Sequence, residues 1–150
     1  AAAINYMTIT TSNGVTTYDR VIRFADWNEN NEALNTGRKL AFIHELAHNF
    51  DNPFELAATP GVSWTFITVF RSKSGWTQST PNTTGYTLSG DGQWWYSNDA
   101  EFHRPYGRIN PSEDWATMWE LYFHPSATAE PGTNLDEKLQ VVRNFINSLK

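Results

Sequence analysis

The chain has 150 residues, a formal net charge of −5 and no cysteine, and each of these facts removes a class of function. The length suits one domain around one core, to which seven tryptophans can contribute a large apolar area. An acidic balance without a Lys/Arg cluster argues against nucleic acid or an anionic membrane as the main partner, and the lack of cysteine excludes disulfides, thiolate metal sites and thiol nucleophiles. Any metal must therefore rest on histidine and carboxylate ligands. No apolar stretch approaches the roughly 20 residues of a membrane-spanning helix, and Ala1 opens neither a basic nor an apolar leader. A mature or excised soluble domain is expected, and low charge with abundant Ser, Thr, Asn and Trp suggests a secreted or cell-surface setting.

Two β-prone stretches, 4–11 and 15–24, flank Ser12-Asn13-Gly14, and an Asn-Gly pair there predicts an antiparallel hairpin. Asn35 or Thr36 can cap a helix running to about Phe50, with Leu40, Ile43, Leu46, Ala47 and Phe50 at helical spacing. From 51 to about 108 no periodicity is sustained; a short β-prone run, 64–70, precedes stretches rich in Ser, Thr, Gly, Asn and Trp, a pattern that predicts function-bearing loops. Asn110-Pro111 then opens a second helix, whose buried face is Trp115, Met118, Trp119 and Tyr122. Pro125 and Pro131-Gly132 end that element. Asn134 with Glu137 makes a capping pair for a last helix, whose Leu139, Val142, Phe145, Ile146 and Leu149 are expected to pack inward. No internal repeat and no linker divides the chain.

The chemistry concentrates in the first helix. His44-Glu45-Leu46-Ala47-His48 is an HExxH box: two imidazoles on one helix face can hold one zinc ion, with Glu45 beside the water as general base. A catalytic zinc takes three protein ligands, so one more is needed. The extended HExxHxxGxxH motif fails, because Asp51 and Phe54 stand where it requires glycine and histidine. The nearest approach to an aspartate-bearing GTxD motif, 132–136, is one residue too long. Glu113, at the start of the second helix, is the best remaining ligand, and the small Ala116 would let the two helices approach. Glu113 also stands three residues after Asn110, the place of a capping-box glutamate, and spacing alone leaves both readings open. Asp114 is its rival, but one residue along a helix turns a side chain by about 100°, so only one of the pair can face the metal; Glu113 is kept as the ligand, and Asp114 is expected behind a ligand or at the cleft.

Two segments, 44–51 (HELAHNFD) and 106–116 (YGRINPSEDWA), resemble the catalytic domain of anthrax lethal factor and related bacterial gluzincin peptidases, in which an HExxHxxD helix is followed by a Tyr-Gly or Tyr-Ala pair and an Asn-x-x-Glu segment. The likeness covers both helices and extends towards the C-terminal one; the first 30 residues and the central loop match in outline only. It implies His44, His48 and Glu113 as zinc ligands, Glu45 as general base, Tyr106 as transition-state stabiliser and Asp51 as an acid supporting the site from behind. Thr117 departs from the acidic residue that members often carry after Ala116. His103, three residues before Tyr106, could line the cleft, and Glu120, two turns after Glu113, either supports a ligand or belongs to a solvated face. His124 suits a helix C-terminus. Trp64, Trp76, Trp94 and Trp95 either pack the loops or shape an aromatic cleft, with 72–76 as its edge.

The expected whole is a single α+β, zincin-like domain: an N-terminal antiparallel sheet, the HExxH helix, a long cleft loop, the helix of the third ligand and a C-terminal helix. The implied function is a bacterial zinc-dependent endopeptidase with one Zn2+, acting on protein or peptide as a monomer or as part of a longer chain, with no nucleic-acid or membrane partner. The alternatives are a catalytically inactive zincin-fold module that binds glycan or cell-wall material, and a zinc amidase acting on a non-peptide amide.

Overall fold

The computed structural model describes residues 3–24, 32–51, 64–82 and 84–149; the expectations for Phe54 and for the Trp64 side chain lie outside what it describes. β1 (Ala3–Ser12) and β2 (Val15–Phe24) form the expected hairpin, with Ser12 opposite Val15 and Ala3 opposite Phe24. Asn13 and Gly14 take φ of 51° and 76°, the left-handed pair that a two-residue turn between twisted strands requires.

α1 (Glu32–Ala47) packs against both strands. It starts before the Asn35 or Thr36 expected as its cap and stops short of Phe50. The amides of Asn49 and Phe50 close on the carbonyls of Leu46 and Ala47 at 3.0 and 2.9 Å, three-residue bonds that tighten the helix end. His44 therefore sits in the last turn of α1, and His48 in the turn just beyond it.

The run 64–70 is not a strand. It belongs to α2 (Trp64–Lys73), where Ile67 and Phe70 are buried and Phe66 is half-buried while Thr68 and Val69 face outward. This is the 3–4 spacing of one helix face, and it packs on α4 (Asn134–Ser148). Tertiary burial outweighs the β preference of the branched and aromatic residues. The remainder of the supposed loop region carries β3 (Tyr86–Leu88) and β4 (Trp95–Ser97), a second antiparallel pair, and a 3-10 turn over Pro105–Arg108.

α3 (Pro111–Phe123) begins as its sequence predicts: Asn110 caps it, its side chain accepting from the Glu113 N–H at 2.9 Å, and Pro111 is its first residue. The helix runs through the core, buried from Asp114 to Leu121, so a solvated face is ruled out over that stretch. The Trp115 ring meets Phe70 of α2 and Phe145 of α4 edge-on, at 5.1 and 5.3 Å. Its indole N–H reaches the Ala47 carbonyl at 3.3 Å, tying α3 to the end of α1 one residue before His48.

α4 is capped by Thr133, which accepts from the Asp136 N–H at 3.2 Å, and not by Asn134. The Asn134 side chain instead donates to the Lys73 carbonyl and accepts from the Glu101 N–H. Leu139, Val142 and Phe145 are buried as expected, and Ile146 packs on the core. Leu149 is 53% exposed, because it lies past the last helical turn, where the chain leaves the core.

A buried ion pair holds α3 to α4. Lys138 Nζ lies 2.8 Å from Asp114 Oδ1, while Asp114 Oδ2 accepts from Ser74 Oγ at 3.0 Å and Trp76 Nε1 at 2.9 Å. Burial pushes Asp114 up and Lys138 down, and the four groups satisfy one another where water cannot. No helix among the described residues is long and apolar enough to cross a membrane.

Candidate metal centre

The short turn after α1 leaves the two imidazoles of the HExxH box edge to face, with ring centroids 4.9 Å apart and Nε2 atoms 3.2 Å apart. Glu113, third residue of α3, carries its carboxylate across to them: Oε2 lies 2.9 Å from His44 Nε2 and 3.6 Å from His48 Nε2. Asn110 caps the helix, and the Glu113 side chain points at the histidines. These three residues form the group that could hold a metal among the described residues.

Both imidazoles are gripped from behind. The Nδ1 of His44 lies 2.6 Å from Glu120 Oε1, and the Nδ1 of His48 is hydrogen-bonded to Asp51, which also accepts from Ser112 Oγ. A carboxylate on Nδ1 fixes the tautomer that bears its proton there and leaves the Nε2 lone pair facing inward. Two ring nitrogens and one carboxylate oxygen are thereby gathered within reach of a single cation, either a proton or a metal ion. Glu113 Oε2 is buried and lacks an aligned hydrogen bond despite its closeness to His44.

The donor set fits zinc. Tetrahedral donors about 2.0–2.1 Å from the ion lie roughly 3.3–3.4 Å from one another, and the observed separations bracket that value. With both imidazoles neutral, the carboxylates of Glu113, Glu120 and Asp51 against the guanidinium of Arg104 leave two negative charges. The same field acts on protons. Burial disfavours charge on His48, but the carboxylate of Asp51, hydrogen-bonded to it, and that of Glu113 close by outweigh burial and push the imidazole up to about 10. His44 is also raised, by Glu113 and Glu120 against burial. Glu113, although buried, is drawn down to about 2 by the two imidazoles.

Glu45 is half-buried in the last turn of α1. Tyr106 sits on the 3-10 turn, 43% exposed, its ring 5.8 Å from that of His44. The charge of Glu113 and then burial raise its phenol, with Glu45 and Glu120 adding and Arg104 opposing. Gly107 lets this turn dock. It is buried against α3, and a Cβ there would stand 2.9 Å from Thr117 Oγ1 and 3.3 Å from the Phe102 ring.

Asp114, expected at the cleft or behind a ligand, turns instead to Lys138. His103 is half-buried and pushed down by burial, with Glu120, His124 and Arg104 as its charged neighbours. It is not part of the His44, His48 and Glu113 group. Trp76 and Ser74 are buried on Asp114, so 72–76 is not an open cleft edge. The His124 ring accepts from the amides of Ser126 and Ala127 and is not part of the group of His44, His48 and Glu113. A cavity of about 230 Å³ does open beside the start of α3, lined by Gln78, Asp91, Gln93, Trp94 and residues 110–112; Ser112 connects it to Asp51. Neither Arg104 nor Ser112 is legible as a site residue in the sequence, since neither belongs to a motif or a periodic pattern.

Compared with known proteins, the chain matches no family profile, no curated protein and no solved structure. The chemistry of the site therefore has to be argued from its own residues.

Proposed function

We propose that the protein is a zinc-dependent endopeptidase of zincin-like fold and gluzincin ligand set, as its resemblance to lethal-factor-like peptidases implies. The observation that carries this reading is the convergence of His44 Nε2, His48 Nε2 and Glu113 Oε2, with separations of 2.9, 3.2 and 3.6 Å, where each imidazole is already held through Nδ1 by a carboxylate. His44, His48 and Glu113 would hold the ion. When bound, zinc supplies a Lewis acid that acidifies water and polarises the scissile carbonyl.

The protein's own groups account for the rest. The Glu45 carboxylate accepts a proton from the attacking water and delivers it to the nitrogen of the leaving amine as the C–N bond breaks. As the new C–O bond forms, negative charge collects on the carbonyl oxygen of the substrate. The Tyr106 phenol, kept protonated by the neighbouring Glu113 charge and by burial, donates a hydrogen bond to that oxygen. The products are a carboxylic acid and an amine. The Trp94-lined cavity beside Ser112 supplies room for a substrate side chain. A secreted or cell-surface setting belongs to the same proposal, on composition alone.

Zinc content of the purified protein, measured beside Glu113→Ala, tests the centre; one zinc per chain, weakened in the variant, is expected. A peptide-library digest with wild type and Glu45→Gln tests the activity. Absence of metal after incubation with zinc would remove the reading. Zinc without cleavage of any peptide would leave the amidase or the glycan-binding module in its place.

A further inference from the structure

Resting on the metallopeptidase reading, we propose that Arg104 is a positioning residue that locks two separate parts of the centre, the His44 ring and the Tyr106 phenol, into one geometry. Its guanidinium holds Glu120 with two prongs, Nε to Oε2 at 2.9 Å and Nη2 to Oε1 at 2.6 Å. The same Glu120 oxygen Oε1 is 2.6 Å from His44 Nδ1. The same guanidinium lies over the ring of Tyr106, with Cζ 4.9 Å from the ring centroid. The backbone acts in the same direction: Arg104 is the extended residue that opens the 3-10 turn, and its carbonyl accepts from the Gly107 N–H at 3.0 Å.

The physical need for such a residue lies in Glu120. Its carboxylate is on a buried helix face, 6% exposed, at the end of a side chain with three rotatable torsions. One hydrogen bond to an imidazole does not fix such a side chain, and a buried carboxylate requires charge compensation. A guanidinium fork supplies both, since it matches the two carboxylate oxygens in a plane and brings a full positive charge. Glu120 then holds His44 firmly enough to aim Nε2 at Glu113. Lysine cannot substitute: an ammonium is a point charge without a fork and without a planar face for the Tyr106 ring.

The test compares Arg104→Lys and Arg104→Ala with wild type in three readouts: zinc affinity by competition with a chromophoric chelator, the visible spectrum of the cobalt-substituted protein, and kcat and KM at saturating zinc. Circular dichroism on each variant keeps folding defects apart, and Arg104→Gln replaces the alanine variant if that one does not fold. Arg104→Ala is expected to bind zinc about 10- to 100-fold more weakly, the range for loss of an outer partner, and Arg104→Lys to fall short of wild type although it keeps the charge. At saturating zinc, kcat is expected to drop with KM little changed, and the drop to be smaller in a Tyr106→Phe background, because the two residues act as a unit. Wild-type zinc affinity, cobalt spectrum and kcat in Arg104→Ala would overturn this inference alone. Failure of the wild type itself to take up zinc would overturn it together with the metallopeptidase reading.

Discussion

Glu113 and Asp114 are consecutive in α3 and serve different faces of it: Glu113 Oε2 lies 2.9 Å from His44 Nε2, and Asp114 Oδ1 lies 2.8 Å from Lys138 Nζ. One carboxylate addresses the candidate metal and the other anchors the core. Substituting each in turn should separate metal binding from stability. Glu113→Gln is expected to remain folded, giving up the contribution of its contacts with His44 and His48 to the stability of the chelated protein, and to lose zinc by more than the roughly 10- to 100-fold that removal of an outer partner costs. Asp114→Ala leaves a buried, unpaired Lys138 and is expected to lose about 3–5 kcal/mol of stability. Zinc titration and chemical denaturation of both variants check this; a Glu113→Gln that unfolds and an Asp114→Ala that does not would reverse the assignment.

Glu45→Gln tests proton transfer. The amide keeps the size of the side chain but cannot accept the proton of water, so zinc content should stay at the wild-type level while turnover falls about 10²- to 10⁴-fold. Cleavage at an undiminished rate would rule out Glu45 as the base.

Tyr106→Phe removes a hydrogen-bond donor without removing the ring. Loss of such a donor to a developing oxyanion costs about 2.7–4 kcal/mol, or 10²–10³ in kcat, with KM and zinc content unchanged. Gly107→Ala should reach the same end by another route. Its new methyl would stand 2.9 Å from Thr117 Oγ1, displacing the turn that carries Tyr106 at a cost of about 1–3 kcal/mol. Adding Thr117→Ala makes room for the methyl and should restore part of the loss; a Gly107→Ala protein with wild-type stability and kcat would show that the close approach is unimportant.

The pH dependence of the chelated protein reports the same cluster. His48, raised from 6.5 to about 10 by Asp51 and Glu113 against the opposing effect of burial, contributes stability that is complete below about pH 6.5 and lost as pH rises towards 10. His44 shifts the same way. Glu113, lowered from 4.5 to about 2 by its histidines despite burial, contributes stability present above about pH 4.5 and lost as pH falls towards 2. Thermal denaturation after chelation should therefore show greatest stability between about pH 4.5 and 6.5 and a decline on the alkaline side. Zinc competes with these protons, so its affinity should rise with pH, and saturating zinc at about 100 times its dissociation constant should add about 2.7 kcal/mol. A stability profile without alkaline decline in the chelated protein would contradict the His48, Asp51 and Glu113 contacts.

The parts of this protein that depend on near neighbours in the chain are legible in its sequence. Asn13-Gly14 specifies the hairpin because those residues tolerate left-handed backbone, Asn110-Pro111 specifies the start of α3 because one caps and the other needs no donor, and the four-residue spacing of His44 and His48 brings the imidazoles together. The tertiary structure decided what those elements meet. Glu113 and Asp114 differ by one step of about 100° around a helix, and the docking of α3 on α1 selects which of them reaches the histidines. Burial against α4 turned 64–70 from strand to helix, and the Asp114 site drew Trp76 inside. Glu120 acquires its role through His44, 76 residues away in sequence, and through Arg104, 16 residues away. Local pattern constrains backbone conformation, whereas pairings at such separations arise only when packed helices fix the distance between side chains.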